Sequence, residues 1–141
     1  MSQALNQDNA STILAQSFDI VRQDESGFAR SVYDLFFLEA PEAKALFSHT
    51  DWSQQQKMLM GALTLMVKNL DNPSLFRITM KSLAERHVRY GIKASYFAPF
   101  SNAVLKSLQQ QLQDKWNTSI KDSWEYAFDK IKQLMLEAGV N

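Results

Sequence analysis

The sequence has the length, composition and charge of a single folded domain. Its 141 residues correspond to one domain at roughly 100 to 200 residues per domain. Hydrophobic residues make up 45% of the chain, with only four glycines and three prolines, which is typical of a packed protein and excludes fibrous or disordered classes. Fifteen basic residues balance fifteen acidic ones, so the charge pattern favours neither a nucleic acid nor an anionic membrane as partner.

The chain contains no cysteine. This excludes disulfides, thiolate metal sites, iron–sulfur clusters and cofactors attached through cysteine, so any metal ligand must be a histidine, carboxylate or amide. The first residues, MSQALNQDNAST, have neither the basic nor the apolar segment of a secretory signal. No apolar run approaches the roughly 18 residues that a membrane span needs. We therefore expect a cytoplasmic protein.

The hydrophobic pattern predicts an all-α domain. Apolar residues recur three and four residues apart, strand-like alternation is absent, and turn residues separate about seven helical stretches. Residues 1–10 are expected to form a flexible tail, and residues 11–141 the folded domain. In chain order, the helices are predicted at about 11–24, 27–38, 41–47, 51–70, 73–90, 94–114 and 118–138.

Three helix starts carry a specific signal. Asp51 stands three residues before Gln54, the spacing of a capping box. Asn72 precedes a proline at the first helical position. The last helix begins after Trp116, with Asn117 or Thr118 as its cap. These residues predict where the three helices begin.

Two polar residues fall on apolar helix faces. Gln55 lies one turn before Leu59 on the stripe of the fourth predicted helix, and His87 continues the stripe of the fifth, after Leu83. A buried amide or imidazole without a partner costs about 1 to 3 kcal/mol. Each side chain therefore needs an internal partner, which is either a nearby backbone carbonyl or a ligand.

The segments PEAKALF, QQQKML and LAERHVRYG, at their spacings, resemble the globin family. The resemblance covers roughly residues 11–138 and is strongest to single-domain bacterial haemoglobins and to the haem domain of flavohaemoglobins. It rests on features in a fixed order along the chain: Tyr33, Pro41 with Phe47, Gln55 with Leu59, His87 with Tyr90 and Gly91, and Trp124. It implies a globin fold whose helices cross at about 50° and enclose a non-covalent haem b.

The resemblance implies roles for individual residues around the iron. His87 matches the ligand of the iron, Phe47 the aromatic residue that packs on the haem, and Leu59 the aliphatic residue above the iron. The basic residues expected near the haem propionates are Arg86, Lys57 and Lys93. The other histidine, His49, is expected to be a solvated loop residue.

Tyr33 and Gln55 match the pair that donates hydrogen bonds to bound gas in bacterial globins. Two alternatives stay open. Tyr33 could be a buried tyrosine bonded to the backbone, and Gln55 could face solvent, since a one-residue shift of the helix start would present Gln54 or Gln56 instead.

The sequence departs from the bacterial pattern behind the histidine. In flavohaemoglobins a tyrosine and a glutamate orient that imidazole, but the matching positions here hold Phe97 and Gly139. Tyr96 and Glu137 are one and two residues away, which turns a helical side chain by about 100° or 200°. We expect His87 to donate instead to the Leu83 carbonyl, which suits reversible binding more than O–O cleavage.

The resemblance implies a haem protein that binds dioxygen reversibly, and also nitric oxide and carbon monoxide, as in oxygen transport. Nitric oxide dioxygenation would need a separate reductase, because the sequence contains no flavin or nicotinamide module, and enzymatic activity is left undecided. Two alternatives are a haem-based gas sensor and a globin-like regulatory module without haem, each acting through a protein partner.

Overall fold

A computed structural model describes residues 7–141, and over these residues the chain forms six α-helices and no strand. Helices α1 to α6 span, in chain order, Gln7–Val21, Glu25–Glu39, Trp52–Asn69, Pro73–Arg89, Phe97–Leu112 and Thr118–Ala138. Short 3₁₀ segments lie between them at Arg22–Asp24, Pro41–Phe47, Ala94–Tyr96 and Gln113–Lys115. With Pro41–Phe47 counted as a helix, the seven predicted helical segments are all present, and the all-α prediction is confirmed.

The first helix begins earlier than the sequence analysis predicts. α1 starts at Gln7, and Ala10 is fully buried. The expected flexible tail is therefore wrong for residues 7–10, whereas residues 1–6 lie outside the described residues. The reason is that Ala10 continues the buried stripe of Leu14 and Phe18 at four-residue spacing, so another helical turn gains burial.

Side-chain caps fix where four helices begin. In each case an Asp or Asn side chain accepts a hydrogen bond from the backbone N–H three residues further on. The four capping residues are Asp24, Asp51, Asn72 and Asn117. The predicted caps Asp51 and Asn72 are confirmed, and Asn117 rather than Thr118 caps the last helix. The Asp24 cap makes α2 begin at Glu25, two residues before its predicted start.

The helices pack against one another around one main core. α2 lies against α5, α4 against α6, and α1 against α6, while α3 contacts α1, α2 and α4. The largest fully buried side chains of this core include Trp124, Phe28 and Leu14. None of the helices within residues 7–141 combines the length and the apolar character needed to cross a bilayer.

A buried polar contact joins α1 to α6. Trp124 is fully buried, and its Nε1–H donates to the Ser17 hydroxyl at 2.9 Å. The Ser17 hydroxyl in turn donates to the Ile13 carbonyl at 2.7 Å. Ser17 thus satisfies the one polar atom of the largest core side chain.

Replacement of Ser17 by alanine is expected to lower the free energy of unfolding by about 1 to 3 kcal/mol, because the Trp124 N–H stays buried without an acceptor. Urea unfolding followed by tryptophan fluorescence measures this loss. Ser123→Ala is the matched control, since within residues 7–141 the buried Ser123 hydroxyl bonds only the Ser119 carbonyl of its own helix. Equal losses in the two variants would contradict the role of Ser17.

Candidate functional site

The predicted site residues come from three helices and one 3₁₀ segment that are in contact. Tyr33 lies on α2, Gln55 and Leu59 on α3, and His87 near the end of α4. α3 packs against both α2 and α4. The short connection after α3 makes α4 its immediate neighbour, so residues far apart in the sequence share one region of the fold.

The His87 ring is fixed by a bond within its own helix. Nδ1 donates to the Leu83 carbonyl at 2.7 Å, as the sequence analysis predicts. Burial lowers the pKa of His87, the Leu83 bond opposes that change, and the nearby Arg86 charge adds to it. The ring is therefore neutral at neutral pH. This is its only hydrogen bond within residues 7–141, so Nε2 has no partner among the described residues.

Tyr33 and Gln55 meet although they lie on different helices. The Gln55 side-chain N–H donates to the Tyr33 phenol oxygen at 2.8 Å. Burial raises the pKa of Tyr33, and the bond from Gln55 offsets part of that rise. The phenol is therefore neutral at neutral pH, and because its oxygen accepts from Gln55, its O–H remains a donor. Gln54 is exposed, so the structure selects Gln55 over that neighbour.

An aromatic wall surrounds the Tyr33 ring. Phe47 contacts Tyr33 edge to face, with ring centroids 5.6 Å apart. Trp52 contacts Tyr33 in the same way at 5.3 Å and stacks on Phe47. Phe37 contacts both Phe47 and Trp52. The sequence analysis does not include Trp52, although its position one turn before Gln55 on α3 is a signal that could have indicated it.

Leu59 and Arg86 occupy contrasting environments. Leu59, one turn after Gln55, is buried within the main core. Arg86, next to His87, is half-buried, and its Nε–H is buried without a hydrogen-bond partner within residues 7–141. Unpaired buried N–H groups are rare in folded proteins, so this one points to an acceptor from outside the described residues. Lys57 and Lys93 are exposed.

Tyr96 and Glu137 do not replace the tyrosine and glutamate that the resemblance implies at positions 97 and 139. Tyr96 packs in the main core, edge to face with Phe36 at 6.2 Å. Glu137 forms an exposed ion pair with Arg77 at 2.7 Å. The expectation that neither of them bonds His87 is confirmed by the Leu83 contact. His49, after Phe47, is exposed.

Comparison with known proteins agrees with this architecture. The globin family model matches residues 30–135, well over half of the chain. The chain therefore belongs to the globin family. A flavohaemoprotein of Bordetella pertussis is 24% identical over 119 residues, which cover 83% of this chain and 30% of that protein. The chain thus spans about a third of the length of this curated relative.

Two solved structures are similar in fold. The first is a Pseudomonas aeruginosa protein described as structurally highly homologous to a human haemoglobin, with a TM-score of 0.79, 17% identity and coverage of 94% of this chain and 99% of that one. The second is a bacterial globin from Campylobacter jejuni, with a TM-score of 0.78, 21% identity and coverage of 93% and 94%. At these identities the similarity shows the fold alone.

Proposed function

We propose that this globin binds haem b non-covalently with His87 as the iron ligand, and that diatomic gases bind beside Tyr33 and Gln55. The state of His87 carries the proposal. The imidazole is neutral, Nδ1 is bonded to Leu83, and Nε2 has no partner in the described chain. A ring fixed in this way presents Nε2 to a metal, while its Nδ1–H donates to a backbone carbonyl.

The surrounding residues fit the remaining parts of a haem. The unpaired Arg86 N–H suits a propionate carboxylate, for which Arg is a strong donor. Phe47 and the buried Leu59 supply apolar surface for the macrocycle. When bound, haem supplies an iron that binds dioxygen, nitric oxide and carbon monoxide.

Tyr33 and Gln55 have different roles in stabilising a bound gas. Gln55 holds the phenol oxygen, which leaves the Tyr33 O–H to donate to a dioxygen ligand with partial negative charge. The phenol is buried, so this hydrogen bond competes little with water. The aromatic contacts of Phe47 and Trp52 with Tyr33 fix the orientation of its ring.

Reversible binding of dioxygen, for transport or storage, is the function this arrangement favours. His87 donates to a neutral carbonyl instead of a carboxylate, so the imidazole has less anionic character and promotes O–O cleavage less. A nitric oxide dioxygenase is the second candidate, supported by the similarity to a flavohaemoprotein. That reaction combines nitric oxide, dioxygen and one electron into nitrate, and a separate reductase would supply the electron.

An absorption spectrum tests the proposal. The purified protein is mixed with haemin, reduced, and measured with and without carbon monoxide. We expect a five-coordinate ferrous spectrum that converts fully with the gas, because His87 is half-buried whereas the other histidine, His49, is exposed. A six-coordinate bis-histidine spectrum would implicate His49 and contradict the pocket. No haem uptake would favour the regulatory module without haem.

The same samples also test the alternative that the protein is a haem-based gas sensor. A sensor requires that ligation changes a surface that a partner recognises. Hydrogen exchange of the reduced protein with and without carbon monoxide measures such a change. Protection changes confined to residues around Tyr33, Gln55 and His87 would favour gas binding without signalling.

A further inference from the structure

The residues after α6 fold back as a short hook, Gly139–Asn141. Gly139 has a left-handed φ of 115°, which ends the helix, and the Val140 N–H donates to the Met135 carbonyl at 3.0 Å. Val140 is only 3% exposed. The turn needs glycine because other residues adopt this φ with difficulty. The hook thus buries one apolar side chain beside the last turn of α6.

Val140 belongs to a small apolar cluster separate from the main core. Its buried members are Val140, Met135 and Ala84, so the hook joins α6 to α4. Leu83 and Val88 pack against this cluster. Leu83 provides the carbonyl that accepts the His87 proton, and Val88 is the next residue after His87. The cluster that the hook completes therefore packs against one residue before His87 and one residue after it in the sequence.

A backbone contact ties the hook to the segment that follows α4. The Ala94 N–H donates to the Asn141 main-chain oxygen at 2.8 Å. Two residues earlier, the Ile92 N–H donates to the His87 carbonyl at 3.2 Å. The segment that follows α4 is thus bonded both to the end of α4 and to the hook.

The two departures from the bacterial pattern meet at this cluster. Phe97, where the resemblance implies a tyrosine, packs against the cluster of Val140. Gly139, where it implies a glutamate, provides the turn that brings Val140 inward. At both positions where the resemblance implies a polar side chain, this chain thus has residues that contribute to apolar packing.

We propose that Val140 is a positioning residue for His87. By filling the cluster under Leu83 and Val88, it holds the Leu83 carbonyl where it accepts the Nδ1 proton, so the ring keeps the tautomer that presents Nε2 to a ligand. The inference rests on the proposed function only in taking His87 as the iron ligand.

The test uses Val140→Ala in the haem-free protein. Long-range proton–nitrogen NMR spectra report which ring nitrogen of His87 carries the proton. We expect the Nδ1–H form in the natural protein and a mixture with the Nε2–H form in the variant. Hydrogen exchange of the Ala94 amide is expected to lose protection on the order of tenfold, which corresponds to about 1.4 kcal/mol.

Val21→Ala is the matched control. Val21 is fully buried on α1 in the main core. Its replacement by alanine therefore removes the same two methyl groups as Val140→Ala, but from the main core instead of the Val140 cluster. We expect general destabilisation but no change in the His87 tautomer. An unchanged tautomer and a protected Ala94 amide in Val140→Ala would overturn the proposal, and so would the same changes in Val21→Ala.

A second variant reaches the hook through the backbone. No atom lies within 4 Å of a Cβ added at Gly139, so Gly139→Ala acts only through its positive φ. Gly61→Ala, with equal space inside α3, is its control.

In haem-loaded protein, Gly139→Ala but not Gly61→Ala is expected to shift the iron–histidine stretching frequency. An unshifted frequency in a protein that does bind haem through His87 would contradict the positioning role alone, whereas absent haem binding would contradict the proposed function and leave the NMR test decisive.

Discussion

His87→Gly is expected to lose the haem spectrum of the natural protein and to regain it with added imidazole. The variant removes the half-buried imidazole but keeps the Leu83 carbonyl that accepts its Nδ1–H, so free imidazole finds the same acceptor. Loss of even the outer partner of a metal-ligating histidine typically costs about 10 to 100-fold in affinity. We expect a loss of at least that size here, measured by haem transfer to an acceptor protein.

His49→Gly is the matched control for this experiment. His49 is exposed in the loop after Phe47, so its removal is expected to leave the spectrum and haem retention unchanged. If His87→Gly kept the natural spectrum while His49→Gly lost it, the assignment of the ligand would be wrong.

Tyr33→Phe is expected to speed dioxygen dissociation by roughly 10 to 150-fold, since each tenfold corresponds to about 1.4 kcal/mol. The phenol is buried, and Gln55 occupies its oxygen as acceptor. Its O–H is then a donor worth roughly 1.5 to 3 kcal/mol to a ligand with partial charge. Carbon monoxide carries little charge, so its dissociation should change far less. Stopped-flow mixing measures both rates.

Gln55→Leu separates the roles of the two donors. Because the amide donates to Tyr33, we expect a smaller increase in dioxygen dissociation than in Tyr33→Phe. Tyr126→Phe, on the half-buried face of α6, is the control and should leave both gases unaffected. Equal small changes for dioxygen and carbon monoxide in Tyr33→Phe would mean that Tyr33 only packs.

Much of the fold is encoded locally. Helix formation depends on apolar spacing and capping residues within about one turn, which is why Asp51 and Asn72 mark their helices correctly. The His87 contact with Leu83 is equally local, because residues four apart lie on one helix face. The role of His87 as iron ligand, by contrast, stays a prediction until a spectrum tests it.

The N-terminal error has a physical cause in tertiary packing. The sequence up to Ala10 carries too few apolar residues to predict a helix, whereas in the structure α1 includes Gln7, and Ala10 is buried in the main core. Burial against other helices outweighs weak local preference at such an end.

The sequence by itself determined the helical class, the helix starts at Asp51 and Asn72, and the backbone bond of His87. The tertiary structure alone decided that Gln55 rather than Gln54 reaches Tyr33, that Trp52 joins the aromatic wall, and that Val140 joins the cluster against which Leu83 and Val88 pack. Local periodicity fixes which face of a helix is apolar. Which faces meet depends on how the side chains of different helices interlock, and no spacing within one helix contains that information.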